Sequence, residues 1–313
     1  MKFSFDPLIF AAVIAGLVSG SELTAQTIYS WTDENGITHF TDRQPETEQP
    51  VTVQKAIAEP ESALSIRRSG LEQDPVWWFR NRLAGPLSVR VRLVEEENVI
   101  TEPPLPAVFV LPAQSERELV TIGPLNPSRS WSYRFETEAI VGEMGVVHRP
   151  PGPYRPPIAP GASFVIGQAF GGTFSHTAPH AYHAVDIAMP VGTPIHAARA
   201  GVVMDRERYF HQAGQDLERF GPRANFVRIL HDDGTMAVYA HLDYEGVAVF
   251  PGEQVERGQY LGRSGNTGYS SGPHLHFVIQ KNRDMQLVSI PFEFEGADGR
   301  AVTPRERLRL TAP

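Results

Sequence analysis

Glycine and proline interrupt this chain so often that long helices have little room. It carries 27 of each among 313 residues, about one breaker for every six positions. Between the breakers lie short runs such as Leu87-Ser-Val-Arg-Val-Arg-Leu93 and Trp131-Ser-Tyr-Arg-Phe135, which alternate in polarity. A period of two marks a strand with one wet face, so the chain reads as mainly β. At 41% hydrophobic it has material for real cores. The length suits two or three units at roughly 100–200 residues each.

The net charge of −8 lacks the basic field that a nucleic acid or an anionic membrane would need. The absence of cysteine excludes disulfides, thiol nucleophiles, thiolate metal sites and a lipidated N-terminal cysteine. Any metal must therefore be held by His, Asp or Glu.

Residues 1–25 read as a signal peptide, with Lys2 ahead of an apolar run from Leu8 to Val18. That run falls short of the ~20 residues that span a bilayer as a helix. No second segment is long enough, so no membrane span is expected and the location is periplasmic or otherwise exported. Residues 26–45 form a small hairpin unit: Tyr29, Trp31 and Phe40 flank an Asn35-Gly36 turn signal, with His39 on the strand surface. Their Tyr-x-Trp-x-Asp-x-x-Gly pattern resembles a small domain of unknown function found in proteobacterial envelope proteins. Residues 46–74 are polar and read as a linker. Residues 75–145 read as a β-sandwich-like domain, in which Arg90 and Arg92 share a solvated face and Trp77 and Trp78 are edge core rather than a carbohydrate platform. Residues 146–162, with six prolines between His148 and Gly161, read as a Pro-rich linker or a strap along the next domain, with His148 exposed. A strap of this kind could restrain the following groove. Residues 293–313 read as a frayed tail.

Nine of the eleven histidines fall between His176 and His276. His274-Leu275-His276 leads into Phe277-Val-Ile279, a strand on which the two imidazoles share one face and Leu275 and Phe277 share the other. The same alternation puts Tyr239 and His241 on one face, with Val238, Ala240 and Leu242 opposite. Small residues from Ser264 to Pro273 let backbone approach a ligand.

The blocks Ser175-His176, AVDIAMPVGTP with Asp186, AARAGVV, ANFVRILHDDGTMAVYAHL and SGNTGYSSGPHLHF stand in order along residues 163–292. Together they resemble the lysostaphin/LytM-type zinc metallopeptidases that cut peptidoglycan peptides. The resemblance implies an antiparallel β-sheet metallopeptidase domain with a groove, and zinc (Zn2+) held by His176, Asp186 and His276. It makes His241 and His274 the catalytic pair that moves protons and steadies the oxyanion. It places Asn225 beside the groove, as a substrate contact or a turn-fixing residue. Two neutral imidazoles and a carboxylate leave a fourth position open on zinc, where water is acidified and can attack an amide.

The first ligand is the one that spacing leaves open. Short-spaced members of the family place this His four residues before the Asp, where Tyr182 stands here. His183 has the wrong parity, while His180 and His176 each need a turn to reach the metal. Longer-spaced relatives carry Ser-His ten residues ahead, as Ser175-His176 stands, so His176 is the expected ligand and His183 a groove-edge or surface residue. His196 reads as structural, His231 as a hairpin cap, and His211 as part of an insert at residues 209–223.

These features predict an exported zinc endopeptidase acting on peptidoglycan stem peptides. The alternatives are a non-catalytic regulator that activates separate amidases, as in relatives that have lost ligands, and a wall-binding module. An envelope partner that relieves restraint on the groove is compatible with the first.

Overall fold

The computed structural model describes residues 27–34, 38–41, 43–55, 62–71 and 74–313. The expected signal peptide and the Asn35-Gly36 turn lie outside them. The chain divides into two compact units, Met1–Ala56 and Ile57–Pro313.

The first unit is a three-stranded antiparallel sheet of β1 (Thr27–Thr32), β2 (Thr38–Thr41) and β3 (Thr52–Lys55), ordered β2-β1-β3. Trp31 and His39 face each other across β1 and β2 with rings stacked at 4.9 Å, and the His39 ring bonds Asp33 at 2.7 Å. The expected linker thus contributes a strand here, because β3 covers the free edge of β1.

In the second unit, the alternating segments become β4 (Leu64–Leu71), β5 (Asp74–Asn81), β6 (Leu87–Glu97), β7 (Val99–Glu102), β8 (Ala107–Leu111), β9 (Glu116–Pro124) and β10 (Ser132–Val141). They form two sheets, β4-β5-β9-β7 and β10-β6-β8. Between them lies a core built on Phe79, Leu87, Val89, Val91 and Leu111. The sandwich therefore begins inside the supposed linker: β4 pairs along the whole of β5. Trp77 packs edge-on to Phe135 and donates its indole N–H to the Tyr133 hydroxyl. Arg90 and Arg92 pair with Glu138 and Glu136 on the neighbouring strand, exposed bridges of small worth.

The histidine-rich region folds as β11 (Ser163–Gln168), β12 (Val185–Ala188), β13 (Pro194–His196), β14 (Gly201–Glu207), β15 (Ala213–Gly214), the one-turn α1 (Leu217–Phe220), β16 (Phe226–Leu230), β17 (Met236–Ala240) and β18 (Leu242–Val247). It continues through β19 (Gln254–Val255), β20 (Tyr260–Ser264), β21 (Gly268–Tyr269), β22 (His274–Arg283), β23 (Gln286–Ser289), β24 (Phe294–Glu295), β25 (Ala301–Val302) and β26 (Arg309–Thr311). Nine of these strands make the central sheet, ordered β19-β14-β16-β17-β22-β12-β11-β26 with β23 on the far half of β22. One face of that sheet, through Ile187, Tyr239, Leu275 and Phe277, packs on Ile195, Leu242, Val247 and Leu261 of the smaller sheet β13-β20-β18.

The Pro-rich segment is a strap that completes this core. Tyr154 and Ile158 are buried in it, and backbone bonds run from Tyr154 to Glu293 and from Arg155 to Ala198. His148, expected in solvent, is half-buried against the Tyr154 hydroxyl at 3.0 Å. Residues 293–313 are no frayed tail: β26 pairs with β11, and Leu310 is 2% exposed. Composition missed this because one buried leucine on a short edge strand leaves no period to read.

Strap and sandwich meet the histidine-rich region away from the histidine cluster. The strap lies on the core face. The sandwich packs on Met204 and Met236 and holds Asn282 through the Gly142 carbonyl. Asn282 is six residues along β22 from His276, about 20 Å at strand rise. Among the described residues, the hydrogen bonds of the strap and the sandwich go to residues other than Asp186, His241, His274 and His276.

Candidate metal centre

One row across the central sheet builds the site. Asp186 on β12 faces His276 on β22, which faces Ala240 on β17. Val185, Ile187, Leu275 and Phe277 alternate into the core, so Asp186, His274 and His276 turn to the opposite face. On the other flank of β12, a register shift between Ile166 and Gln168 brings Gln168 opposite Asp186.

His241 joins this row by breaking the alternation. Regular pairing would put it on the face of Tyr239, and Tyr239 is fully buried in the core, bonding the Ala198 N–H. At His241 φ is +63°, a left-handed conformation uncommon outside glycine. The strand ends there, and the ring swings to the metal face while Leu242 returns to the core. The expected sharing of a face by Tyr239 and His241 is thus corrected. The His241 ring lies 4.6 Å from His274 and 5.7 Å from His276, centroid to centroid.

His176 comes from the turn-rich loop between β11 and β12 and is fully buried. Its Nδ1 lies 2.9 Å from the Ala169 carbonyl. A carbonyl only accepts, so Nδ1 carries the proton and the neutral ring presents the Nε2 lone pair. That Nε2 is buried without a hydrogen-bond partner and stands 3.2 Å from Asp186 Oδ1. His276 Nδ1 lies 2.9 Å from the same oxygen. One ligand atom from each of His176, Asp186 and His276 fits within a 4.8 Å group. Lone pairs converging on one point require a positive charge between them, either a proton or a metal ion. Two imidazoles and a carboxylate suit zinc, with room for a fourth ligand.

The electrostatics agree. Burial alone would raise the Asp186 carboxyl, but the close approach of the His176 and His276 rings outweighs it and holds it well below the usual carboxylate range. Burial lowers His176, and the Asp186 charge more than reverses this, so its pKa ends raised. His241 is pushed down to about 3, first by burial and then by His274 and His276. Its Nδ1 donates to the Thr267 carbonyl at 2.7 Å, and His274 Nδ1 donates to the Gly272 carbonyl at 2.8 Å. Each therefore keeps Nε2 as a free lone pair; that of His274 is 3.7 Å from Asp186 Oδ1.

The remaining candidates fall elsewhere. His183 turns to Ser289, its Nδ1 3.1 Å from the carbonyl, with its ring against Phe170. His180 is exposed, and its carbonyl holds Gln280. Tyr182 is 49% exposed and lies over Gly171. Asn225 is fully buried: its amide bonds the Phe210, Leu242 and Asp243 carbonyls and accepts the Phe210 N–H. That leaves it no free group for a substrate, and of its two expected roles the turn-fixing one matches these bonds. His231 closes its hairpin with a backbone bond to Thr235, His196 bonds the Gly258 carbonyl, and the exposed His211 ring abuts Tyr244. Gln168 is the residue that sequence reasoning missed. So are the carbonyls of Ala169, Thr267 and Gly272, which no side-chain pattern can reveal.

Residues 180–287 match the family model described as Peptidase family M23, and residues 15–65 match a Domain of unknown function, DUF4124. The first match includes Asp186, His241, His274 and His276 but begins after His176. The chain is 41% identical over 103 residues to the peptidoglycan DD-endopeptidase ShyA of Vibrio cholerae, covering 33% of this chain and 20% of that one. It is 34% identical over 102 residues to lysostaphin of Staphylococcus simulans, covering 32% of this chain and 18% of lysostaphin. It thus spans about a fifth of the length of these curated relatives. The solved structure of lysostaphin from Staphylococcus simulans superposes with a TM-score of 0.29 at 31% identity, over 38% of this chain and 43% of that one.

Proposed function

We propose that this chain, which carries an M23 peptidase domain and a DUF4124 domain, is an exported zinc endopeptidase that hydrolyses peptide crosslinks of peptidoglycan. The observation that carries the reading is the convergence of His176 Nε2, Asp186 Oδ1 and His276 Nδ1, with the Nε2 lone pairs of His241 and His274 beside them. Support for the substrate comes from the relatives, one of which is a peptidoglycan DD-endopeptidase. Support for export comes from the apolar run after Lys2. Among the described residues no helix is long and apolar enough to cross a membrane.

Zinc in such a site supplies Lewis acidity, bringing water towards pKa ~7 and polarising a carbonyl. The protein residues do the rest. His176, Asp186 and His276 would hold the ion. His241, kept neutral by burial, can accept a proton at Nε2. His274 presents Nε2 from the neighbouring strand, so the pair can take the proton of the attacking water and return it to the departing amine. Whichever ring is protonated steadies the oxyanion.

Purified sacculi incubated with the zinc-loaded protein, with separation of the released muropeptides, test this. Loss of crosslinked dimers, abolished by a chelator and restored by zinc, is the expected result. Intact dimers with free peptide released would indicate an amidase. No release, but stimulation of an added amidase, would favour the regulator.

A further inference from the structure

We infer that Gln168 is the positioning residue of the metal centre, holding Asp186 and the His176 loop in ligating geometry through a single side-chain amide. The inference rests on the zinc site proposed above.

Gln168 Nε2 donates to Asp186 Oδ2 and to Ser175 Oγ, each at 2.8 Å. Its Oε1 accepts the Phe174 N–H at 3.1 Å. The amide orientation is unambiguous, because the backbone N–H can only donate and the carboxylate can only accept. Both amide hydrogens and the carbonyl are thus committed, one to a metal ligand and two to the residues immediately before another.

The consequence for Asp186 is a division of labour between its oxygens. Oδ2 is pinned by Gln168, while Oδ1 faces His176, His276 and His274 at 3.2, 2.9 and 3.7 Å. A carboxylate held this way keeps Oδ1 turned towards the histidines. The His176 loop needs a tether for a different reason. Nine residues lie between His176 and Asp186, most of them in turns, so strand geometry does not position the ring. Gln168 anchors Phe174 and Ser175, and the carbonyl of the next residue, Ala169, orients the His176 ring itself.

The backbone is arranged to permit this. Ile166 faces Ile187 in the core, and regular alternation would point residue 168 the same way. The register shift at Gly167 turns it to the metal face instead. Gly172 clears the space beside it, since a Cβ there would overlap Gln168 Cγ.

The test compares wild-type protein with Gln168→Met, which keeps the length but makes none of these bonds, and with Gln168→Glu, which keeps the Phe174 bond but sets a carboxylate against Asp186. Zinc affinity is measured by chelator competition, ligand geometry by the visible spectrum of the cobalt-loaded protein, and folding by thermal melting of the metal-free form. The expected result is a roughly 10- to 100-fold weaker zinc affinity and an altered cobalt spectrum in both variants, with the metal-free melting point nearly unchanged. If Gln168→Met melts early, the Gln168→Glu comparison decides. Wild-type affinity and spectrum in a folded variant overturn the positioning role while leaving the zinc site intact. Failure of the wild type to bind zinc overturns both.

Discussion

His241 and His274 lie with their rings 4.6 Å apart, and each gives its Nδ1 proton to a backbone carbonyl, of Thr267 and of Gly272. Both rings are therefore oriented by main chain rather than by acidic side chains. They differ from His276, whose Nδ1 faces Asp186.

That difference predicts separable losses along one strand. His276→Ala should abolish zinc binding, because two remaining ligands rarely retain the ion. His274→Ala should keep zinc while lowering turnover by roughly 10²–10⁴, the usual worth of a general acid–base. Metal content and muropeptide release, measured on both variants, check this. Equal zinc loss in the two would show that the division of roles along His274-Leu275-His276 is wrong.

His176 and His183 predict a second contrast. Zinc should be lost after chelator challenge in His176→Ala and retained in His183→Ala, since the His183 ring is engaged by Ser289. Retained zinc in the first and lost zinc in the second would reverse the assignment of the first ligand.

Strand alternation alone put His274 and His276 on one face. Asp186 and His176 were legible only through the resemblance to the lysostaphin/LytM-type metallopeptidases, and the register that sets Asp186 opposite His276 is visible only in the structure. Parity failed where the backbone departs from regularity: a left-handed residue re-aims His241, and a register shift re-aims Gln168. The sandwich was visible from its alternating runs, but β3, β4 and β26 were not, being short or mostly exposed strands that depend on a partner edge. The strap's role escaped composition too, since proline content says nothing about whether Tyr154 and Ile158 are buried.

The strap predicts a stability effect instead of autoinhibition. A chain beginning at Gly161 lacks Tyr154 and Ile158, 2% and 0% exposed in the intact protein. Losing two such side chains costs several kcal/mol, at roughly 2–5 kcal/mol for each large-to-small change. The shortened chain should be unfolded or aggregated, and Tyr154→Ala in the full chain should melt markedly earlier. A folded, more active shortened chain, judged by circular dichroism and sacculus digestion, would restore the restraint hypothesis.

Asn225 predicts a loss of stability rather than of substrate affinity. Its buried amide ties the Phe210 loop to Leu242 and Asp243, next to His241. Asn225→Ala removes its bonds to the Phe210 N–H and carbonyl, at about 1–3 kcal/mol for each buried group left unsatisfied, while the Leu242 carbonyl keeps the Thr267 hydroxyl. Melting should fall clearly. A variant with wild-type melting but a raised KM on crosslinked muropeptides would return Asn225 to substrate binding.

The last prediction concerns acid. His231 is 3% exposed, its Nδ1 donates to the Ala200 carbonyl at 2.8 Å, and its Nε2 is buried without a partner. Burial pushes its pKa down to about 4, against ~6.5 in an unfolded chain. A lowered histidine stabilises the fold as the neutral ring. Its contribution is fully present above pH ~6.5 and is lost as pH falls towards about 4, where the folded ring also charges. The whole shift is worth about 3 kcal/mol. His148 and His241 are lowered too and add to the slope, so the decisive quantity is a difference between proteins. Asp233 acts at lower pH, since its lowered pKa matters only below the ordinary carboxylate range. In the metal-free protein, the urea midpoint should fall between pH 7 and 4.5 by clearly more in the wild type than in His231→Gln, whose amide can still donate to Ala200. Parallel falls in the two would mean that His231 is already accessible to protons in the folded state.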